Sequence, residues 1–587
     1  MDYPQLQLGM PVRELKYRFQ WNAPIVVSPH DPDVLYHASQ YVHRSTNEGQ
    51  SWEVISPDLT RNDTTKMGFA GEPITRDITG VEVYGSILAL AESPVEPGVL
   101  WAGSNDGLVH VSRDNGRTWR NVTPRDLPAH STVNRIEVSR VPGRALIAVY
   151  RYLLDDWKPY IFKTEDYGQS WTLLTTGNNG IPANYPTRVV REDPDRRGLL
   201  YAGTEFGIFI SFDDGANWQP FQLNLPVTPI TDLVVHQKDL VVATQGRSFW
   251  ILDDLTPLHQ LTPEVVAARA HLFKPRPAYR TQGTQARPSQ LYLRDPIGGA
   301  RIDRHQMGQN PPAGAVIFYS FAEAPTEEVR LEVLDSEDRV IRAFTSAARE
   351  GERTRERLSK RAGLNRFVWD LSYPGARLVE GVEITGSADG PRAVPGTYKV
   401  RLTVGSFSAT ESFEVLKDPR VPVTVADLRA QFDLQIQIRD RINQAQDAVR
   451  VIRSVTRQLD DLAERVEAQD QGGDIKAAAQ QIARKLLAIE DQLIQRKGAG
   501  LVHQPMLTEQ LAWLNSIVAS ADAKPTEQSY TRFRDLDNEL TSHLETLRGL
   551  LEADVVQFNR MVQERGVPPV VVPSVARSVA APDGTER

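Results

Sequence analysis

Four acidic residues, Asp106, Asp155, Asp156 and Glu205, stand in short polar breaks between apolar runs of this 587-residue chain. Two carboxyl groups facing one another across a cleft are the equipment of glycoside hydrolysis. They sit roughly 5–5.5 Å apart when configuration is retained and roughly 6.5–9.5 Å apart when it is inverted. Arg247 occupies a similar break, and Arg76 and Asp77 lie in the long connection 56–85. Carboxylates mixed with guanidinium groups around one mouth can equally hold a polar ligand without reacting with it. Which chemistry applies depends on the elements that carry these residues.

Those elements repeat. "STNEGQSW" (45–52), "SRDNGRTW" (112–119), "TEDYGQSW" (164–171) and "SFDDGANW" (211–218) share one pattern of hydroxyl, acid or amide, glycine and tryptophan. The slots are Asn47, Gly49 and Trp52; Asp114, Gly116 and Trp119; Asp166, Gly168 and Trp171; and Asp213, Gly215 and Trp218. The glycines are spaced by 67, 52 and 47 residues, a period typical of propeller blades and other arrays. Before each turn lie three short runs rich in Val, Ile, Tyr and Phe, bounded by Gly, Pro and Asp, as strands are. A fifth, weaker copy runs through "KDLVVATQ" and "SFWILDD". Four strands per copy make a β-propeller blade. Four of the ten tryptophans fill one slot, so the turns read as repeated packing rather than catalysis.

Strand parity then sorts the loops. Turns between first and second strands share a face with the polar turns. Turns between second and third strands, with the connections between repeats, lie on the other. Asp106, Asp155, Asp156, Glu205 and Arg247 occupy second-to-third turns, and Arg76 and Asp77 an inter-repeat connection. All seven are therefore expected on one face, as a binding site or, for the four acids, as a source of a catalytic pair.

The polar turns resemble the Asp-box (BNR) repeats of sialidases, xyloglucan-cleaving glycosidases and sortilin. The wider pattern, including "WNAPIVVSPHDPDVLY", "GVLWAGSNDGLVHVSRDNGRTW" and "GRSFWILDD", resembles bacterial proteins known as BNR-repeat glycosyl hydrolases or sortilin N-terminal-like proteins. The resemblance covers most of residues 20–420. It implies a propeller lacking its N-terminal blades, followed by an Ig-like domain, so the five repeats either close a small ring or form an open arc of a larger one. It also implies an extracytoplasmic location, although the N-terminus carries no signal-peptide pattern. The arginine cluster of sialidases and the catalytic segment of the xyloglucan-cleaving enzymes have no match here. Non-catalytic binding of a protein, peptide or glycan is therefore the leading expectation, with glycoside hydrolysis as the alternative.

Beyond the repeats, residues 263–312 read as a linker, 313–420 as an Ig-like β-sandwich with period-2 alternation, and 421–565 as a three-helix antiparallel bundle. Residues 1–262 are the propeller and 566–587 a disordered tail. Ile438, Ile442, Ala445, Val449 and Ile452 form an apolar stripe. Its partner is the rest of the bundle or, alternatively, a second copy in a homodimer. The fold class is thus mainly β with an α C-terminal part.

Composition excludes other classes. A net charge of −8 offers no electrostatic footprint for nucleic acid. With no cysteine and 11 scattered histidines, no metal site is expected. No phosphate-cradling glycine loop or nucleophile elbow is present, so no cofactor is expected. No run nears the roughly 18 apolar residues that would suggest membrane insertion.

Overall fold

Each polar turn closes the third strand of a sheet onto its fourth. Ser112 Oγ donates to Asp114 Oδ1 at 2.9 Å and accepts the Gly116 N–H at 2.9 Å. Asp114 then accepts the Thr118 N–H at 2.8 Å and the Thr118 hydroxyl at 2.6 Å. Thr164, Asp166, Gly168 and Ser170 repeat this pattern, as do Ser211, Asp213, Gly215 and Asn217. Asn47 does the same work in the first copy, accepting the Ser51 N–H at 3.0 Å. A short side chain that satisfies its own loop's backbone donors makes the turn locally encoded.

The computed structural model describes residues 5, 9–69, 71–74, 82–281, 310–347, 357–467, 473–496 and 503–573. The chain divides into two compact units, Met1–His259 and Gln260–Arg587.

The first unit is a propeller-like series of antiparallel sheets, each a meander in chain order. The first sheet comprises Ile25–Val27, Leu35–Ala38, Val42–Ser45 and Glu53–Val54, and the second Ile87–Glu92, Leu100–Ser104, Val109–Ser112 and Arg120–Asn121. The third comprises Thr132–Val138, Ala145–Arg151, Asp156–Thr164 and Thr172–Leu173, and the fourth Thr187–Glu192, Leu200–Thr204, Gly207–Ser211 and Gln219–Pro220. The fifth has three strands, Ile230–His236, Asp239–Thr244 and Phe249–Leu252, rather than the expected four. The reason is local. No polar turn follows Leu252; instead Asp254 accepts the Thr256 N–H and hydroxyl and leads the chain into a helix, Thr256–Gln260.

The core of this unit lies between successive sheets. Leu146, Ala148 and Ile161 of the third pack with Val190, Leu200, Ala202 and Phe209 of the fourth, and Trp218 joins them. Similar clusters join the first to the second, the second to the third, and the fourth to the fifth. Each buried side chain of this size contributes roughly 1.5–3 kcal/mol. The turn glycines serve the same seams. Gly168 has φ +79° and a Cβ there would lie 2.6 Å from the Val122 Cβ of the preceding sheet. The tryptophans are less uniformly buried than equivalence suggests: Trp218 is buried, whereas Trp52, Trp119 and Trp171 are half-buried. Arg144, wholly buried, ties the third sheet to the fourth. It pairs with Glu192 at 2.9 Å and with Glu165 and Asp214.

In the second unit, Ala270–Leu272, Ala315–Phe321 and Gly363–Trp369 form a three-stranded sheet. A five-stranded sheet runs in the order Ala278–Arg280, Phe407–Lys417, Gly396–Val404, Val329–Leu334 and Val340–Thr345. Its first pair is parallel and the others antiparallel. Strand Ala315–Phe321 buries every second residue, and the two sheets share one core around Tyr319, Trp369, Val400 and Phe413. Part of the expected linker is therefore structured. Residues 270–272 and 278–280 are strands, because Ala270, Leu272 and Ala278 add apolar area to that core. Residues 282–309 lie outside the described residues.

Among the described residues four helical segments follow rather than three: Val425–Glu467, Gly473–Leu493, Leu507–Val518, and Glu527–Gly549, the last continuing through a π-helical turn, Leu550–Val555, into Val556–Gln563. Thr424 and Asp427 form the expected capping box, each accepting the other's N–H at 3.1 Å. The additional helix buries Leu507, Leu511, Leu514 and Val518, a stripe at spacings of 4, 3 and 4 that the sequence carries openly. Ile438, Ile442, Ala445, Val449 and Ile452 are fully buried against partners in this unit. That packing meets the demand of the stripe without a second copy. The start of the expected disordered tail docks here too: Val570 is buried, and its N–H donates to Asn559 Oδ1 at 2.8 Å. Residues 574–587 lie outside the described residues. Among the described residues no helix is long and apolar enough to cross a membrane.

Candidate functional site

The second-to-third turns of the third and fourth sheets converge on Arg188. This residue enters from strand Thr187–Glu192, and its guanidinium donates to Glu205 at 2.5 and 2.6 Å. It also donates to the Tyr152 hydroxyl at 3.0 Å and lies 5.4 and 5.5 Å from the Tyr150 and Tyr152 ring centroids. The tyrosines come from one chain reversal. Strand Ala145–Arg151 runs into a 3-10 turn, Tyr152–Leu154, and Asp155 then takes left-handed geometry at φ 59°. That reversal stacks Tyr150 on Tyr152 at 4.8 Å and brings Trp157 within 5.7 Å of Tyr152. Across the site, Phe206 packs on Tyr185 at 4.6 Å.

The electrostatics favour a fixed ion pair. Burial pushes the Tyr150 hydroxyl up to about 12, so it stays neutral. Burial alone would weaken the charge on Arg188, but Tyr152 and Glu205 outweigh it and hold the guanidinium above its usual value. Around this half-buried pair, Leu153, Trp157 and Phe206 remain exposed. An arginine held by a carboxylate and rimmed by exposed aromatic side chains has the composition of a binding hot spot.

The other expected site residues fall in different places. Asp106 is 1% exposed, and its carboxylate accepts the Ser104 hydroxyl at 2.5 Å and the Arg61 N–H at 2.8 Å. Arg61 Nε donates in turn to the Asp106 carbonyl at 2.8 Å. Burial raises the Asp106 pKa. Asp106 thus fastens the connection after the first sheet onto the second. Asp155 accepts the Trp157 indole N–H at 3.2 Å, and Asp156 accepts the Tyr160 hydroxyl at 2.8 Å. These two therefore flank the Arg188 cluster. Arg247 is exposed, and its carbonyl accepts the Trp250 indole N–H at 2.8 Å. Arg76 and Asp77 lie outside the described residues.

A second charged group is not evident from loop positions. Arg191 donates to Glu137 at 2.7 Å and to Asp232 at 2.9 Å, and Arg135 also pairs with Asp232. These residues come from the first strands of the third, fourth and fifth sheets, which packs those three strands together. Burial works against the charge of Arg191, and Glu137 and Asp232 outweigh it, holding its pKa up. The available signal was a charged residue breaking the apolar run of each first strand, in "NRIEV", "TRVVRE" and "ITDLVV".

Asp193, Asp195 and His259 bring three potential metal ligands within 4.8 Å of one another. Their geometry is that of a tied loop. Asp193 Oδ1 accepts the Asp195 and Arg196 N–H groups at 2.9 and 3.1 Å. Its Oδ2 faces the Tyr201 hydroxyl at 3.1 Å and His259 Nε2 at 2.9 Å. A cation bound through Asp193 Oδ2 and His259 Nε2 would have to break the contact between them.

No family model matches the chain, and no curated protein matches it. Among solved structures, it is similar to an ancestral GH74 enzyme at 14% identity and a TM-score of 0.30, over 58% of this chain and 40% of that one. It is similar to YCF48 from Cyanidioschyzon merolae at 13% identity and a TM-score of 0.27, over 38% of this chain and 66% of that one. A structure of YCF48 bound to D1 peptide aligns at 11% identity and a TM-score of 0.22, over 37% of this chain and 74% of that one. The chain thus spans less than half the length of the GH74 enzyme.

Proposed function

We propose that the first unit binds a peptide or protein segment without chemical change, on the loop face centred on Arg188 and Glu205. The observation that carries this reading is the half-buried Arg188–Glu205 pair, stacked on Tyr150 and Tyr152 and rimmed by exposed Trp157 and Phe206. Rigid aromatic area beside a fixed charge binds at low entropic cost. Asp155, Asp156 and Arg247 extend this face in our reading, as do Arg76 and Asp77. The five sheets are read as consecutive propeller blades, the polar turns as Asp boxes, and the β part of the second unit as Ig-like. An extracytoplasmic location accompanies that reading.

Glycoside hydrolysis is the weaker alternative. It requires one carboxyl group to give a proton and another to attack or to activate water. Both Asp106 oxygens are taken, one by the Ser104 hydroxyl and the other by the Arg61 N–H, and Glu205 is held by Arg188.

Selection of a displayed peptide library on the intact chain, followed by surface plasmon resonance, tests the reading. Trp157→Ala is expected to weaken the selected peptides at least about tenfold with an unchanged melting temperature, a change equivalent to about 1.4 kcal/mol. Binding on a glycan array without peptide binding would replace the ligand class. Turnover of a reporter glycoside that disappears in Glu205→Gln would favour the hydrolase.

A further inference from the structure

The second unit contains a cavity of about 690 Å³ where its β part meets its helices. That size suits a small molecule. One wall is built on Arg280, which is 3% exposed. Its guanidinium donates to the Arg392 and Ala393 carbonyls at 2.8 and 2.9 Å, to Gln431 Oε1 at 2.9 Å and to Asp522 at 2.9 Å. Gln431 in turn donates to the Val518 and Ala521 carbonyls at 2.7 and 2.6 Å. Gln435 donates to Asn515 Oδ1 at 3.2 Å, and Asn515 donates to the Ser387 and Asp389 carbonyls at 3.0 and 3.1 Å. The wall is thus cross-linked by hydrogen bonds, and its charge is internally paired.

Arg392 differs from its neighbours. It lines the same cavity, and its backbone is held by an antiparallel bridge to Ser372. Among the described residues its half-buried guanidinium makes a single hydrogen bond, from Nη2 to the Thr281 carbonyl at 2.7 Å. Among the described residues no carboxylate lies within ion-pair distance of it. The acids that line the cavity bond other groups, and Asp522 and Asp370 support the Arg392 charge only from beyond ion-pair distance. Asp522 holds Arg280, Asp370 caps the Ser372 N–H and faces Arg342 at 3.9 Å, and exposed Asp389 accepts the Ser387 hydroxyl. A guanidinium has five N–H donors in a planar fork that matches a carboxylate. Its remaining N–H donors have no protein partner among the described residues, and Arg392 lines the cavity, where the anionic group of a ligand can take the place of water on that fork.

We infer that this cavity binds a small organic carboxylate, its anionic group seated on the Arg392 guanidinium and its polar remainder against Ser372, Tyr373 and Gln435. Burial and the neighbouring charge of Arg280 depress the Arg392 pKa, the direction an added anion reverses.

Calorimetric titration of the intact chain with malonate, citrate, L-glutamate and inorganic phosphate at matched ionic strength tests this. The expected result is binding of at least one carboxylate, weakened about tenfold or more in Arg392→Gln, the order of a lost charge-assisted pair. Ala519→Trp places bulk at the rim and leaves Arg392 intact. It is expected to weaken the same ligand, and it decides the matter if Arg392→Gln does not fold. Equal affinity in the native chain and both variants overturns the site, as does absence of binding by every probe. Arg392-dependent binding of phosphate in preference to all three carboxylates overturns the carboxylate assignment.

Discussion

The indole N–H of Trp218 donates to the Leu174 carbonyl at 3.1 Å. Leu174 directly follows the last strand of the preceding sheet, so the contact crosses a seam between sheets. Trp119 reaches Ile55 and Trp171 reaches Val122 in the same way, at 2.9 and 2.7 Å. Trp52 instead donates to Gly49 of its own turn at 3.1 Å. One residue slot thus seals three seams.

Trp218→Ala is expected to cost about 3–5 kcal/mol, as truncation of a buried aromatic does. Trp52→Ala is expected to cost less, because that ring is half-buried and its indole crosses no seam. Urea denaturation followed by far-ultraviolet circular dichroism compares the two. Equal losses would show that the seam contact adds nothing.

Arg144 is wholly buried, and Glu192 beside it is nearly so. Arg144→Met leaves that carboxylate unpaired and is expected to cost about 3–5 kcal/mol. Combining it with Glu192→Met is expected to recover a large part of the loss, since both charges are then gone. A double-mutant cycle measures the coupling.

His110 sits in strand Val109–Ser112, 9% exposed, and burial pushes its pKa down to about 4. Among the described residues its Nδ1 has no hydrogen-bond partner, as suits a neutral ring. In the unfolded chain a histidine titrates near ~6.5, so between that pH and about 4 the unfolded state binds the extra proton. The stability that follows from keeping the ring neutral is therefore complete above ~6.5 and declines as pH falls, by up to about 3 kcal/mol. His110→Phe is expected to flatten this part of the stability–pH curve. An unchanged slope in the variant would assign the acid sensitivity to other groups.

Glu205→Gln leaves the half-buried Arg188 without its carboxylate and is expected to lower stability by about 1–3 kcal/mol. Arg247→Gln, on an exposed loop, is expected to stay within about 0.5 kcal/mol of the native chain. This contrast separates two residues that the same loop rule placed together. Thermal denaturation at neutral pH checks it.

How far the sequence reached follows the range of the interactions involved. The polar turns are legible because Ser112 holds Asp114 and the Gly116 N–H while Asp114 holds Thr118, all between residues 112 and 118. The capping box of Thr424 and Asp427 and the stripe from Ile438 to Ile452 were legible for the same reason. Short hydrogen-bonded turns and helical periodicity are written into neighbouring positions. The missing fourth strand of the fifth sheet is legible too, in the absence of a polar turn after "SFWILDD", although the repeat pattern of its neighbours implies four.

The state of each loop carboxylate was decided by tertiary structure. Asp106 and Glu205 occupy equivalent breaks in the pattern. One is buried under Arg61, 45 residues away, and the other is paired with Arg188 from the adjoining strand. Asp232 meets Arg135 across 97 residues, and Asp522 meets Arg280 across 242. Spacing along the chain reports which face a residue occupies, because backbone geometry sets that locally. Whether a charge on that face is free, paired or buried depends on what distant segments bring beside it. By itself the sequence determined the repeated turns and the helical stripes; the fold decided that Glu205 would hold an arginine and that Arg392 would be left facing a cavity.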